Sequence, residues 1–244
     1  MPTERLLNIL EMLSREHSDH HSDTLCAVAA ELTELSGAGI FLLSGGPQYT
    51  KFCSSDDVAD KLLDLEITLG EGPGNEACNS GVALHEDDLL FGKYDRWLAY
   101  APAAVAIGAR SIFAFPIGIG AIRIGALILY RDRPGPLTER QESDAYLVAS
   151  VIGRAILETR AGATELDLRG ELGLAHSLDF SVHQAAGMVA VQGSLSLDDA
   201  LVALRSHAFG SGVSMTTMAQ SVVRRETSYD PESRRWRGKE ARNP

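Results

Sequence analysis

The stretch "RSIFAFPIGIGAIRIGALILYR", residues 110–131, decides the fold class. Two apolar runs flank a tight glycine turn, which is the pattern of a β-hairpin. A dinucleotide-binding turn would need a third glycine where Arg123 stands, and a helix after it rather than a second strand. Pro116 inside the first run suits a sheet edge or a bulge, because proline has no N–H for a ladder bond.

Working outward, "GPLTERQESDAYLVASVIGRAILETR" downstream reads as a long helix capped at Thr138. Upstream, "RWLAYAPAAVAIGA" is a helix ending at glycine, and "VALHEDDL" is a brief strand and loop. "GAGIFLLSGGPQYTKFCSS" is a hairpin, and "DDVADKLLDLEI" a short helix with an acidic start. Residues 3–16 and 24–35 repeat apolar positions at helical spacing. Helices, hairpin, small helices, strands and an exit helix make an α+β domain with an antiparallel sheet, spanning 1–160.

From 161 to 180 leucines recur among Gly162, Gly170 and Gly173, as in a helical stalk. Three helix-sized pieces follow at 180–192, 196–209 and 214–225. Ser196 caps the second, with Asp198 and Asp199 at its positive end. Leu197, Ala200, Leu201, Leu204 and Ala208 form its expected buried stripe, and Arg205 falls off it. The small-residue run Ala185–Gly187 leaves backbone open to a partner. The tail at 227–244 has few apolar residues and several arginines, and reads as disordered and basic.

The 244 residues carry a net charge of −11, unevenly spread. Residues 1–180 hold 14 Lys+Arg against 27 Asp+Glu (−13); residues 181–244 hold 8 against 6 (+2). An acidic body with a weakly basic end fits a chain of which only the end meets a polyanion. It does not fit a general nucleic-acid coat or a membrane-surface protein. The N-terminus lacks a signal-peptide pattern, and no apolar run reaches a membrane span. Cys26, Cys53 and Cys78, odd in number and widely spaced, read as reduced thiols in a reducing compartment, so the expected location is cytoplasmic.

Candidate sites follow. "HSDHHSD" clusters His17, His20 and His21 with Asp19 and Asp23, but its place between two helices favours a capping link over a metal site, and no metal is assigned. "LGEGPGNEACNSG" places Gly70, Glu71, Gly72 and Gly74 before a helix carrying Cys78. Either it is a tight connector, or its open backbone and helix N-terminus bind a small polar ligand. No GxxxxGK[ST], HExxH or GxSxG occurs, and Cys78 near His85 is the only nucleophile–base pair in prospect, so no enzymatic activity is expected.

Over roughly residues 22–160, "LGEGPGNEACNSGVALHEDDL" and "FAFPIGIGAIRIGALILYRDRPGPLTERQ" together resemble the GAF sensory domain of actinobacterial-type regulators. Such domains commonly carry a cysteine directly after the "GEGP" turn, where this chain has Gly74. The segment "VHQAAGMVAVQGSLSLDDALVALRSHAFGSGVSMTTMAQSVVRR" resembles the ANTAR domain, a three-helix RNA-binding module of antitermination regulators. Gln184, Ala185, Gly187 and Met188 match in its first helix. Ser196, Ala200, Leu204, Arg205 and Ala208 match in the second, with Met218 and Ala219 in the third. Ala186 stands where many members have Lys.

The resemblance implies a ligand- or signal-sensing regulator that binds RNA hairpin loops through 181–226 by way of Gln184, Ala186, Gly187, Met188, Arg205, Ala208 and Phe209. Its ligand or cofactor is unknown. Phe209 reads as core more than as a stacking platform. Arg205 is the only Lys or Arg between Ser181 and Val223 and is expected to carry the key phosphate contact. Leu147, Val151 and Ala155 beside Val148, Ile152 and Ile156 make a stripe wider than one domain face requires, which predicts a homodimer. The rival readings are a DNA-binding helical output and an enzyme on the GAF scaffold.

Overall fold

A computed structural model describes residues 21–43, 49–91, 96–120, 122–162, 181–231, 233 and 235–238. The predicted helix at 3–16, most of the 161–180 stalk, the end of the tail, and His17, Asp19 and His20 lie outside them. The chain forms two compact units, one holding most residues up to Leu178 and the other those from Asp179 onward together with Thr68–Gly70.

The first unit runs α1 (His21–Thr33), β1 (Gly37–Leu43), β2 (Tyr49–Ser54), α2 (Asp57–Leu69), α3 (Pro73–Ser80), β3 (Leu84–Glu86), α4 (Tyr100–Ile107), β4 (Ser111–Ile119), β5 (Ile122–Arg131) and α5 (Glu139–Gly162). Its antiparallel sheet has the order β2-β1-β5-β4-β3. The decisive stretch forms β4 and β5 around Gly120, whose φ of +59° suits glycine. Pro116 lies on the part of β4 beyond β3, which pairs only with Ile112–Ala114, so β5 alone runs beside it.

Both faces of the sheet are covered, which explains strands that read as continuous apolar runs instead of alternating ones. One face (Ala38, Ile40, Phe113, Phe115, Leu127, Leu129) is sealed by α1 and α5. On the other, small residues bring helices against the strands. An added Cβ at Gly39 would meet Leu63 at 2.9 Å, and one at Gly74 would meet Ile128 at 2.6 Å and Phe41 at 2.8 Å. Val148, Val151, Ile152 and Ile156 are buried in the core that α5 shares with α1 and the sheet, and Leu147 packs against that core partly buried.

Local signals explain the exit helix. Thr138 Oγ1 accepts from the Gln141 backbone N–H (3.2 Å) while Gln141 Oε1 accepts from the Thr138 N–H (3.1 Å), a capping box. Gln141 also donates to the Thr33 carbonyl at the end of α1 (3.0 Å).

Two expectations are overturned here and in the second unit. Cys26 and Cys53 are not free thiols but a disulfide joining α1 to β2, with 6.0 Å between Cα atoms; α1 lies along β2 and brings together residues 27 apart. Cys78 alone is free. The second unit consists of α6 (Ser181–Gly193), α7 (Leu197–Gly210) and α8 (Met215–Val223), followed by a hairpin of β6 (Thr227–Asp230) and β7 (Arg235–Gly238) in place of a disordered tail. Side-chain contacts hold that hairpin where apolar content could not. Trp236 stacks on His207 (4.9 Å, 9°) and meets Tyr229 edge-on, and the Tyr229 N–H donates to Gln192 (3.0 Å). Ser196 and Ser214 cap α7 and α8 through the Asp199 and Thr217 N–H groups (3.1 Å each). Among the described residues no single helix is long and apolar enough to cross a membrane.

Candidate functional site

The glycine turn is a capped junction. Gly70 and Gly72 take φ of +67° and +140°, which turns the chain sharply between α2 and α3. The amides at the start of α3 are occupied from within. Fully buried Glu66 accepts from the Gly74 N–H (3.1 Å), the Asn75 N–H (2.9 Å) and Asn75 Nδ2 (3.1 Å). Burial pushes its carboxyl up to about 7, against the pull of those hydrogen bonds. The Tyr100 hydroxyl is buried beside this charge without a well-formed hydrogen bond, and burial followed by the Glu66 charge holds its pKa far above the ordinary value. Glu71 reaches outward to cap the next helix, accepting from the Ala99 (2.9 Å) and Tyr100 (3.0 Å) N–H groups.

The amides and the space expected to take a small polar ligand at Gly70, Glu71, Gly72, Gly74 and Cys78 are occupied from within: Glu66 accepts from the amides, and Phe41 and Ile128 take the space at Gly74. The connector reading, left open by the sequence, describes this turn. Cys78 is 1% exposed, and burial raises its thiol pKa, which keeps it protonated and a weak nucleophile at neutral pH. Its neighbour is Tyr49, whose ring packs tilted against Phe41 (4.4 Å between centroids) and whose hydroxyl donates to Asn79 Oδ1 (3.3 Å). His85 instead packs on Phe113 and Phe115, with Glu142 at 3.9 Å. The suggested Cys78–His85 pair thus has two separate sets of partners. Among the described residues no three His, Cys, Asp or Glu are placed to hold a metal ion.

A cavity of the first unit lies elsewhere, between the β3–α4 connection and α4. It has a volume of about 580 Å³, in the range of small-molecule sites, and is lined chiefly by apolar side chains including Leu89, Phe91, Trp97, Leu98 and Val105. Phe91 and Leu98 are 73% and 74% exposed at its mouth. The two charged groups on its wall are Glu86 and Arg96. Arg96 is ion-paired with Glu76 and lies 5.0 Å over the Trp97 ring. Sequence reading missed this place, although "LLF" at 89–91, three apolar residues in a loop, was the available signal.

In the second unit, Gln184, Gly187, Met188 and Val191 share one face of α6 by their i, i+3, i+4, i+7 spacing. Gln184 and Val191 are exposed, Met188 is half-buried, and a Cβ at Gly187 would meet nothing within 4 Å. Val202, half-buried Arg205 and exposed Phe209 share a face of α7 in the same way. Phe209 is thus no core residue, and neither is half-exposed Leu197. Ala186 and Ala208 are fully buried and cannot touch a partner directly, and Ala185 is fully buried with them. Helix α8 buries Met215, Met218, Ala219 and Val222, and its exposed side holds no cation before Arg224, which suits a DNA recognition helix poorly.

No known protein-family model matches the chain, and no curated protein matches it by sequence. Solved structures do match. The GAF domain of a Coxiella burnetii phosphoenolpyruvate-protein phosphotransferase is 14% identical with a TM-score of 0.52, covering 65% of this chain and 94% of that one. The corresponding Acinetobacter GAF domain is 16% identical at TM-score 0.50, covering 65% and 94%. Free methionine-R-sulfoxide reductase from Neisseria meningitidis is 14% identical at 0.50, covering 66% and 91%. At these identities the likeness concerns the fold, and the first unit has the GAF-like fold of an antiparallel sheet with flanking helices.

Proposed function

We propose that this chain is a signal-sensing regulator of transcription antitermination, without catalytic activity, whose three-helix unit binds RNA hairpin loops. The observation that carries the reading is the pair of partly exposed faces on α6 and α7. Gln184, Gly187 and Met188, with Arg205 and Phe209 on the next helix, give an amide, an open backbone, a flexible apolar side chain, a cation and an aromatic ring. Unpaired loop bases are recognised by that mixture, through stacking and contacts to base edges, with the cation on phosphate. The GAF-like unit, a fold used for sensing, supplies the input.

Filter binding of the full chain to a hairpin-RNA library and to duplex DNA tests this. Selection of a hairpin loop, weakened roughly tenfold to a hundredfold by Arg205→Ala and about tenfold by Phe209→Ala, is the expected result. Equal or tighter binding to duplex DNA overturns it.

A further inference from the structure

We propose that the cavity between the β3–α4 connection and α4 binds a small ligand with an apolar or aromatic body and a single cationic head, the head held by Glu86. The volume and the exposed Phe91 and Leu98 specify the body: burying them on a ligand removes apolar surface that the fold itself leaves in water. The charge of the head follows from accounting for the ionic groups around the wall. Arg96 is neutralised by Glu76 and covered on one side by Trp97, so it offers little to an anion. Asp88 is held by Arg110 through both carboxylate oxygens (2.9 and 3.0 Å). Glu86 has no ion pair among the described residues; its carboxylate is aided by the Asp88 backbone N–H and, less, by the charge of Arg96, whose own ion pair is with Glu76. Burial raises its pKa, and the neighbouring Asp87 charge adds to that, so an arriving cation would relieve an existing electrostatic cost. Phe91 presents an aromatic ring to the same space, which also favours a cation over an anion.

The proposal deepens the sensing half of the function above, but its test does not pass through RNA. The full chain is titrated by calorimetry with 2-phenylethylammonium, 2-phenylethanol and 3-phenylpropanoate, three probes of similar body and different head. The ammonium is expected to bind about tenfold more tightly than the alcohol, and the carboxylate most weakly. Glu86→Gln should erase the ammonium preference while leaving the alcohol unchanged, and Leu98→Ser should weaken all three. The proposal is overturned if the carboxylate binds as tightly as the ammonium on the parent chain, if Glu86→Gln keeps the preference, or if no probe binds at millimolar concentration. Pocket binding that leaves RNA affinity unchanged upholds the site and overturns only its link to output.

Discussion

Two stretches of the chain, the glycine turn at 70–74 and the segment from Glu86 to Val105, exchange the roles their sequences suggest. The turn has the glycines and helix N-terminus that elsewhere cradle anions, yet its amides are spent on Glu66 and its space on Phe41 and Ile128. The later segment reads as a plain strand, loop and helix, yet it walls the cavity. A helix N-terminus is an anion site only if no side chain of the same protein reaches it first. Glu66, eight residues before Gly74, does so from the preceding helix. The comparison makes a sharp demand: changes at the turn should act on stability, and changes at the cavity on binding.

Glu66 should show the largest effect. Glu66→Ala leaves the buried Gly74 and Asn75 N–H groups without their acceptor, while Asn75 Nδ2 keeps the residue-66 carbonyl, and should cost about 3–5 kcal/mol, read from urea unfolding followed by tryptophan emission. The wild-type chain should also show a pH signature. A carboxyl raised from 4.5 to about 7 holds its proton in the folded state across a range where the unfolded chain has released it. Stability from this group is therefore full below 4.5 and falls as pH rises towards 7, by about 3 kcal/mol. Glu66→Gln should flatten that slope. A turn that loses no stability on Glu66→Ala would return it to the pool of ligand sites.

Gly74→Ala comes next, at about 1–3 kcal/mol, because the new methyl would press on Ile128 and Phe41. Equal thermal stability of the variant would mean that space does remain beneath α3, and the comparison would lose half its basis.

The contrast also marks what a sequence carries. Thr138 and Gln141, three residues apart, announce their helix because the capping box is local. The β4–β5 hairpin and the α7 cap at Ser196 are legible for the same reason. Local patterning also brings out the three-helix unit, but it could not tell that Phe209 faces outward while Ala186 faces inward. That choice depends on which helices pack on which, since both lie at plausible core spacing. The Cys26–Cys53 bond is invisible for a different reason: it depends on α1 lying along β2. The β6–β7 hairpin escapes notice because its order comes from Trp236 on His207 and not from its own apolar content. The cavity was missed because a void belongs to no residue.

Glu71→Ala tests the boundary between the two stretches, since Glu71 sits in the turn but caps α4, a wall of the cavity. Loss of two cap bonds should cost about 1 kcal/mol. A loosened α4 start next to Leu98 should also weaken 2-phenylethylammonium a few-fold. Of the turn substitutions considered, this one alone should register in both assays, and an effect on stability without any on binding would detach α4 from the site.

The smallest stability effect belongs to Leu98→Ser. With 74% of its surface already in water, Leu98 gives the folded chain little apolar burial to lose, so unfolding should shift by no more than about 0.5 kcal/mol. The same side chain stands at the cavity mouth, where a bound probe would cover it, and probe affinity should fall severalfold through lost apolar contact. A variant of full stability and reduced affinity places Leu98 in the site and outside the core, the reverse of Gly74. If Leu98→Ser instead destabilises the chain by 1 kcal/mol or more, the exposed mouth is part of the fold's own packing, and the division between a structural turn and a binding cavity fails at the residue where it should be cleanest.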